Sequence, residues 1–145
     1  MTREAVDTNV FIALFGGDEG SSSWARHVLE EASTRATLAV SPAVYVELVA
    51  GGRSPETVEA FFSRVGAEVD WETGREVWRT AGARYASYAR DRRRRSADTG
   101  PRRILADFLI GAHALHVGGG VLLTLDTKIF GDYFSEVRII APGGP

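Results

Sequence analysis

The sequence predicts an α/β domain built on a mostly parallel central sheet. Short apolar runs of strand length alternate along the chain with segments of helical periodicity. That alternation implies a sheet covered by helices on both faces. No internal repeat and no second hydrophobic block interrupt the 145 residues, so the expectation is one domain spanning residues 1–145.

Composition bounds the chemistry. Hydrophobic residues make up 44 % and charged residues 25 %, ordinary values for a folded domain. The absence of cysteine removes disulfides, zinc thiolates and thiol nucleophiles, and fits a reducing cytoplasm. The start, MTREAVDTNV, carries charge where a secretory leader needs its apolar run. The stretch from Phe108 to Leu125 lacks Asp, Glu, Lys and Arg, but His113, His116 and the triplet Gly118-Gly119-Gly120 divide it. It reads as a buried helix followed by a buried strand, and no membrane association is expected.

Taken in order, a short first strand carrying Val6 delivers Asp7 at its end, and Thr8 or Asn9 caps the apolar helix Val10–Phe15. Gly16–Ser23 reads as a turn, with Ser22 or Ser23 capping a helix from Trp24 to about Thr34. Thr37–Val40 is a second strand. Ser41-Pro42 then opens a helix, a capping residue followed by proline in the first turn, which ends at Gly51-Gly52. Helix 55–65 turns Val58, Phe61, Phe62 and Val65 inward, and residues 67–69 form a short strand.

From Trp71 the positions Trp71, Gly74, Trp78, Ala81, Tyr85 and Tyr88 step by threes and fours. This predicts a helix whose aromatic stripe serves the core or a dimer interface rather than base stacking. It runs out in Asp91 and four arginines, followed by a loop to Gly100. Pro101 opens a further helix, residues 121–125 form a buried strand ending at Asp126, Lys128–Phe134 is helical or irregular, and residues 137–140 are the last strand.

Four acids stand out against this frame. Asp7 and Asp126 lie at strand ends, where open α/β sheets bind their ligands. Glu47 and Asp107 lie among apolar residues of helices, where an unpartnered carboxylate is costly. Gly111 and Ile110 share the Asp107 face and leave it room for backbone, metal or substrate. Carboxylates brought together repel by roughly 4 kcal/mol per pair at 4 Å and a dielectric of 20, so protons or cations must intervene. Oxygen-only ligation favours Mg²⁺ or Mn²⁺, and such a metal pair suits in-line attack of water on a phosphodiester.

The segments VDTNVF, SPAVYVEL, RILADFLIGAHAL and LLTLDTKIF, in this order and at this chain length, resemble the PIN-domain nucleases and within them the VapC-type toxins of toxin–antitoxin pairs. The resemblance implies a three-layer α/β/α sandwich and metal-dependent cleavage of RNA that leaves a 5′-phosphate and a 3′-hydroxyl. It assigns Asp7, Glu47, Asp107 and Asp126 to the acidic, metal-holding site, with Asn9 and Thr124 as supporting polar residues. It also implies a homodimer and a cognate antitoxin whose tail covers the active-site groove. A housekeeping RNA-processing nuclease is the nearest alternative. A non-catalytic acidic pocket or RNA-binding module ranks below it, since that would not need Glu47 and Asp107.

Charge is unevenly placed. Seven Arg against two Asp between Arg90 and Arg103 give a local +5 and leave −7 for the rest of a chain whose net charge is −2. Arg92, Arg93, Arg94, Arg95, Arg102 and Arg103 are therefore expected to grip an RNA backbone, the alternative being a solvated loop. His113 and His116 point away from Asp107 on a helical wheel and are expected to be structural, as is His27, which has no partner pattern. Lys128 is expected at the surface.

Overall fold

The computed structural model describes residues 2–94 and 105–143. Five strands, β1 (Thr2–Val6), β2 (Ala36–Val40), β3 (Ala67–Val69), β4 (Val121–Leu123) and β5 (Arg138–Ile140), form one sheet in the order β3-β2-β1-β4-β5. Every neighbouring pair is parallel. The helices are α1 (Thr8–Gly16), α2 (Glu19–Arg35), α3 (Pro42–Ala50), α4 (Pro55–Val65), α5 (Arg75–Arg94), α6 (Leu105–His116) and α7 (Thr127–Tyr133).

Alternate residues of β1 divide between two covered faces. Glu4 meets Arg35 at the end of α2 through two hydrogen bonds of 2.7 and 3.0 Å, while Ala5 lies against Gly118 just past α6. The result is the α/β/α sandwich. The chain builds outward from β1 through β2 and β3, then returns to lay β4 along the other side of β1. That reversal creates a crevice between the carboxyl ends of β1 and β4, the place where such sheets take their ligands.

Local chemistry sets the helix ends. Ser41 Oγ accepts from Ala43 N and Ser54 Oγ accepts from Thr57 N, each followed by proline in the first turn. Gly66 ends α4 in the left-handed region at φ 71°, where a Cβ would be strained. Two expected boundaries move. The helix placed at Trp24 begins at Glu19 instead, because Asp18 caps it by accepting from Ser21 N at 2.9 Å. The helix placed at Trp71 begins only at Arg75, because Gly74 at φ 84° breaks the chain first.

The aromatic stripe is divided by the same shift. Val77, Ala81 and Tyr88 are the buried face of α5, whereas Trp71 and Trp78 are about 60 % exposed (59 % and 61 %). On one side of the sheet Phe11, Phe61 and Phe62 interlock; on the other, Phe108 sits among Tyr85, Tyr88, Tyr133 and Phe134. Gly111 has no free space beside it: a Cβ there would stand 2.4 Å from the Phe134 ring. The room beside Asp107 expected from glycine is thus filled by an aromatic side chain. No helix among the described residues is long and apolar enough to cross a membrane.

Candidate active site

Asp7 follows β1 directly, and its backbone N–H donates to Leu123 O of β4 at 2.9 Å, which fixes it at the crevice between the two strands. It is the N-cap of α1, the role expected of Thr8 or Asn9. Its Oδ1 accepts from Thr8 N at 2.7 Å and its Oδ2 accepts from Thr124 Oγ1 at 2.7 Å. Both donors are neutral, and the residue is 5 % exposed. Burial therefore raises its pKa from the ordinary 3.8 to about 7, partly opposed by the two hydrogen bonds and reinforced by the negative charges of Asp107 and Glu47. These two acids, distant in sequence, thus lie within electrostatic reach of Asp7.

Thr124 is the hub of the crevice. Its hydroxyl donates to Asp7 and accepts from Asn9 Nδ2 at 3.3 Å and from Asp126 N at 2.9 Å. Asn9 Oδ1 in turn accepts from Leu125 N at 3.1 Å, so Asn9 clamps α1 to the end of β4. Glu47 enters from α3 and is held by Thr8, whose Oγ1 donates to Glu47 Oε1 at 2.5 Å. Sequence reasoning gave Thr8 only a capping role. Its signal was its place between an acid and an asparagine at a strand end, where a hydroxyl can face the crevice.

Asp126 stands differently. Its Oδ1 caps α7 by accepting from Lys128 N at 3.2 Å and Ile129 N at 3.5 Å, and it is joined to the crevice through its backbone contact with Thr124. Lys128 is exposed. Among the described residues no three His, Asp or Glu side chains stand close enough to form a closed metal cage. Glu47 and Asp107 act electrostatically on Asp7, but the described acids are not drawn to ligand distance of one point.

Of the basic set, Arg92, Arg93 and Arg94 lie on the last turn of α5, with Arg93 and Arg94 exposed. Arg92 is tied down: its Nη1 donates to Tyr88 Oη at 3.2 Å and its guanidinium lies 5.8 Å from that ring's centroid. Arg95, Arg102 and Arg103 lie outside the described residues.

The histidines take structural positions. His113 is buried against Asp70, and His116 Nε2 is 2.7 Å from Thr80 Oγ1. His27, expected to lack a partner, stands 3.4 Å from Glu31 one turn along α2.

A five-stranded parallel sheet between helical layers, with buried acid and hydroxyl side chains at the β1/β4 crevice, defines an α/β protein whose candidate site lies at the carboxyl edge. The family model described as PIN domain matches residues 5–134. The chain belongs to the PIN-domain family. Among solved structures it is similar to DNA-bound VapBC from Salmonella typhimurium, at 23 % identity, TM-score 0.64, with 97 % of this chain and 98 % of that one covered. It is also similar to a toxin–antitoxin complex from Klebsiella pneumoniae, at 20 % identity, TM-score 0.65, covering 98 % and 99 %. VapBC-1 from nontypeable Haemophilus influenzae follows at 19 % identity and TM-score 0.61, covering 95 % and 96 %. Comparison with curated proteins gives no match.

Proposed function

We propose that the chain is a divalent-metal-dependent endoribonuclease and the toxin of a toxin–antitoxin pair. The observation that carries the nuclease reading is Asp7: a carboxylate buried at the crevice, solvated only by neutral donors, with the charges of Glu47 and Asp107 nearby. Such a group is half protonated near neutrality and is relieved by a cation. Oxygen donors suit Mg²⁺ or Mn²⁺; Asp7 would hold the ion with Glu47 and Asp107 reaching it directly or through water, and Asp126 would stand at the margin. When bound, the ion supplies Lewis-acid activation of water and of the scissile phosphate.

The chain's own residues do the rest. Thr8 orients the Glu47 carboxylate, and Thr124 with Asn9 fixes Asp7 between β1 and β4. Arg93 and Arg94, with the arginines that follow, meet the phosphate backbone of RNA.

Two surfaces support the partner reading. Leu14, Leu29, Phe61 and Val65 line an open groove of about 440 Å³ whose polar lining is Arg26, Glu30, Ser33 and Arg64, which suits an apolar segment of an antitoxin bearing charged groups at its edge. Val46, Trp71 and Trp78 are large apolar side chains about 60 % exposed, and they suit a homodimer contact.

The test is RNA cleavage by the purified protein, stopped by EDTA and restored by Mn²⁺. Growth arrest on expression, relieved by the product of a small adjacent gene, separates a toxin from a housekeeping nuclease. Cleavage indifferent to EDTA, or undiminished in both Asp7→Asn and Asp107→Asn, removes the reading.

A further inference from the structure

The strand and helix that carry two of the acids are also joined at their other ends. Arg3 lies four residues before Asp7 on β1, roughly 13 Å away at the strand's rise of about 3.3 Å per residue. His113 lies six residues after Asp107 on α6, roughly 9 Å along the helix axis at 1.5 Å per residue. Between them stands Asp70, just past β3. Arg3 Nη2 donates to both Asp70 oxygens, at 2.5 and 2.6 Å, and His113 Nε2 is 2.7 Å from Asp70 Oδ2. Arg3 Nε also donates to Val117 O at 3.1 Å, directly beyond the end of α6.

The glycines allow this closeness. A Cβ on Gly119 would fall 2.0 Å from Arg3 O, and one on Gly118 would fall 2.7 Å from Ala5 Cβ. One carboxylate therefore bridges β1 and α6, beside the direct bond from Arg3 to Val117 O.

Stability alone does not account for the arrangement. His113 is 1 % exposed, and its Nδ1 has no hydrogen-bond partner among the described residues. A buried ring nitrogen without a partner costs stability, so the imidazole is not the side chain that packing alone would select. The imidazole's one polar contact is with Asp70, which leaves register as its task.

We propose that Asp70, acting through His113 and Arg3, is a positioning residue that sets the register of α6 on β1 and hence the separation of Asp107 from Asp7. The inference rests on the nuclease reading. A slip of about 1 Å at a reacting centre can lower turnover by about a hundredfold without changing substrate binding.

The experiment compares full-length wild type with His113→Leu, which removes the tether, and His113→Gln, which keeps a donor near the Nε2 position. Thermal stability, RNA-cleavage kcat and KM, and Mn²⁺ affinity by electron paramagnetic resonance are measured for each. The expected result for His113→Leu, in which Arg3 still pairs with Asp70, is a lowered melting temperature, kcat per folded molecule lower by about ten- to a hundredfold, KM within about twofold, and weaker Mn²⁺ binding. His113→Gln recovers most of the kcat. A His113→Leu protein with wild-type kcat and Mn²⁺ affinity overturns the proposal, as does one whose activity falls only in step with its folded fraction. If His113→Leu does not fold, Arg3→Gln takes its place, with the same fall in kcat expected and an unchanged kcat overturning the proposal. A wild type that neither binds Mn²⁺ nor cleaves RNA removes the nuclease reading itself, and this inference with it.

Discussion

The buried Asp7 makes the metal-free protein less stable as pH rises, and the size of the effect follows from its environment. Its pKa is about 7 in the folded chain against 3.8 ordinarily. A group raised on folding contributes stability that is complete below its unfolded pKa and is lost as pH climbs through the folded one. At about 1.4 kcal/mol per unit, the full span is about 4 kcal/mol, of which about 2–3 kcal/mol falls between pH 5 and pH 8.

Asp7→Asn isolates this contribution. The amide cannot satisfy both neighbours: either its NH₂ confronts Thr124 Oγ1, which already accepts from Asn9 and Asp126, or it confronts Thr8 N. That conflict costs about 1–3 kcal/mol, equally at every pH. The burial of His113 holds its pKa below the usual value, opposed by Asp70, so it gives stability above its unfolded pKa that is lost at lower pH. This contribution is common to both proteins and cancels in the difference.

The assay is denaturant unfolding of wild type and Asp7→Asn in EDTA, followed by circular dichroism at pH 5 and pH 8. The variant should gain about 2–3 kcal/mol on the wild type across that interval, equivalent to about 5–10 °C in melting temperature. A difference constant to within about 0.5 kcal/mol would refute the assignment of Asp7 as a carboxyl held up by burial.

Other expectations follow from the same structure. Gly111→Ala drives a Cβ into the Phe134 ring and should cost about 1–3 kcal/mol in thermal unfolding, whereas Gly131→Ala, with nothing within 4 Å, should be near neutral. If three or four arginines from the end of α5 onward neutralise phosphates, log affinity for single-stranded RNA should fall against log salt with a slope of about −2 to −3, and Arg93→Gln/Arg94→Gln should flatten it. Thr8→Val removes the donor to Glu47 and should lower cleavage at unchanged RNA affinity, read as kcat against KM.

Much of the frame was legible because its signals are local. Ser41-Pro42 announces a helix in any context, and the apolar run ending at Val6 delivers Asp7 where a β strand should end; the run expected to reach Leu125 and deliver Asp126 stops at Leu123, so Thr124 takes that place. What escaped was decided over distance. That β4 pairs with β1, creating the crevice, is a matter of strand order that no window of sequence contains. The periodicity from Trp71 was real, but it could not say which stripe faces inward, and Gly74 moved the helix start past it. Gly111 looked like room for a ligand; Phe134, twenty-three residues later, occupies it. Asp70 carried no signal at all after so short a strand, though it joins Arg3 to His113.

The most direct measurement is stoichiometric Mn²⁺ binding, by electron paramagnetic resonance at pH 7.5, to the wild type, Asp7→Asn and Asp107→Asn. If acids from β1 and α6 share one cation, wild type binds and each variant weakens binding by at least about tenfold. Equal affinity in all three proteins, or no binding by the wild type, contradicts the account.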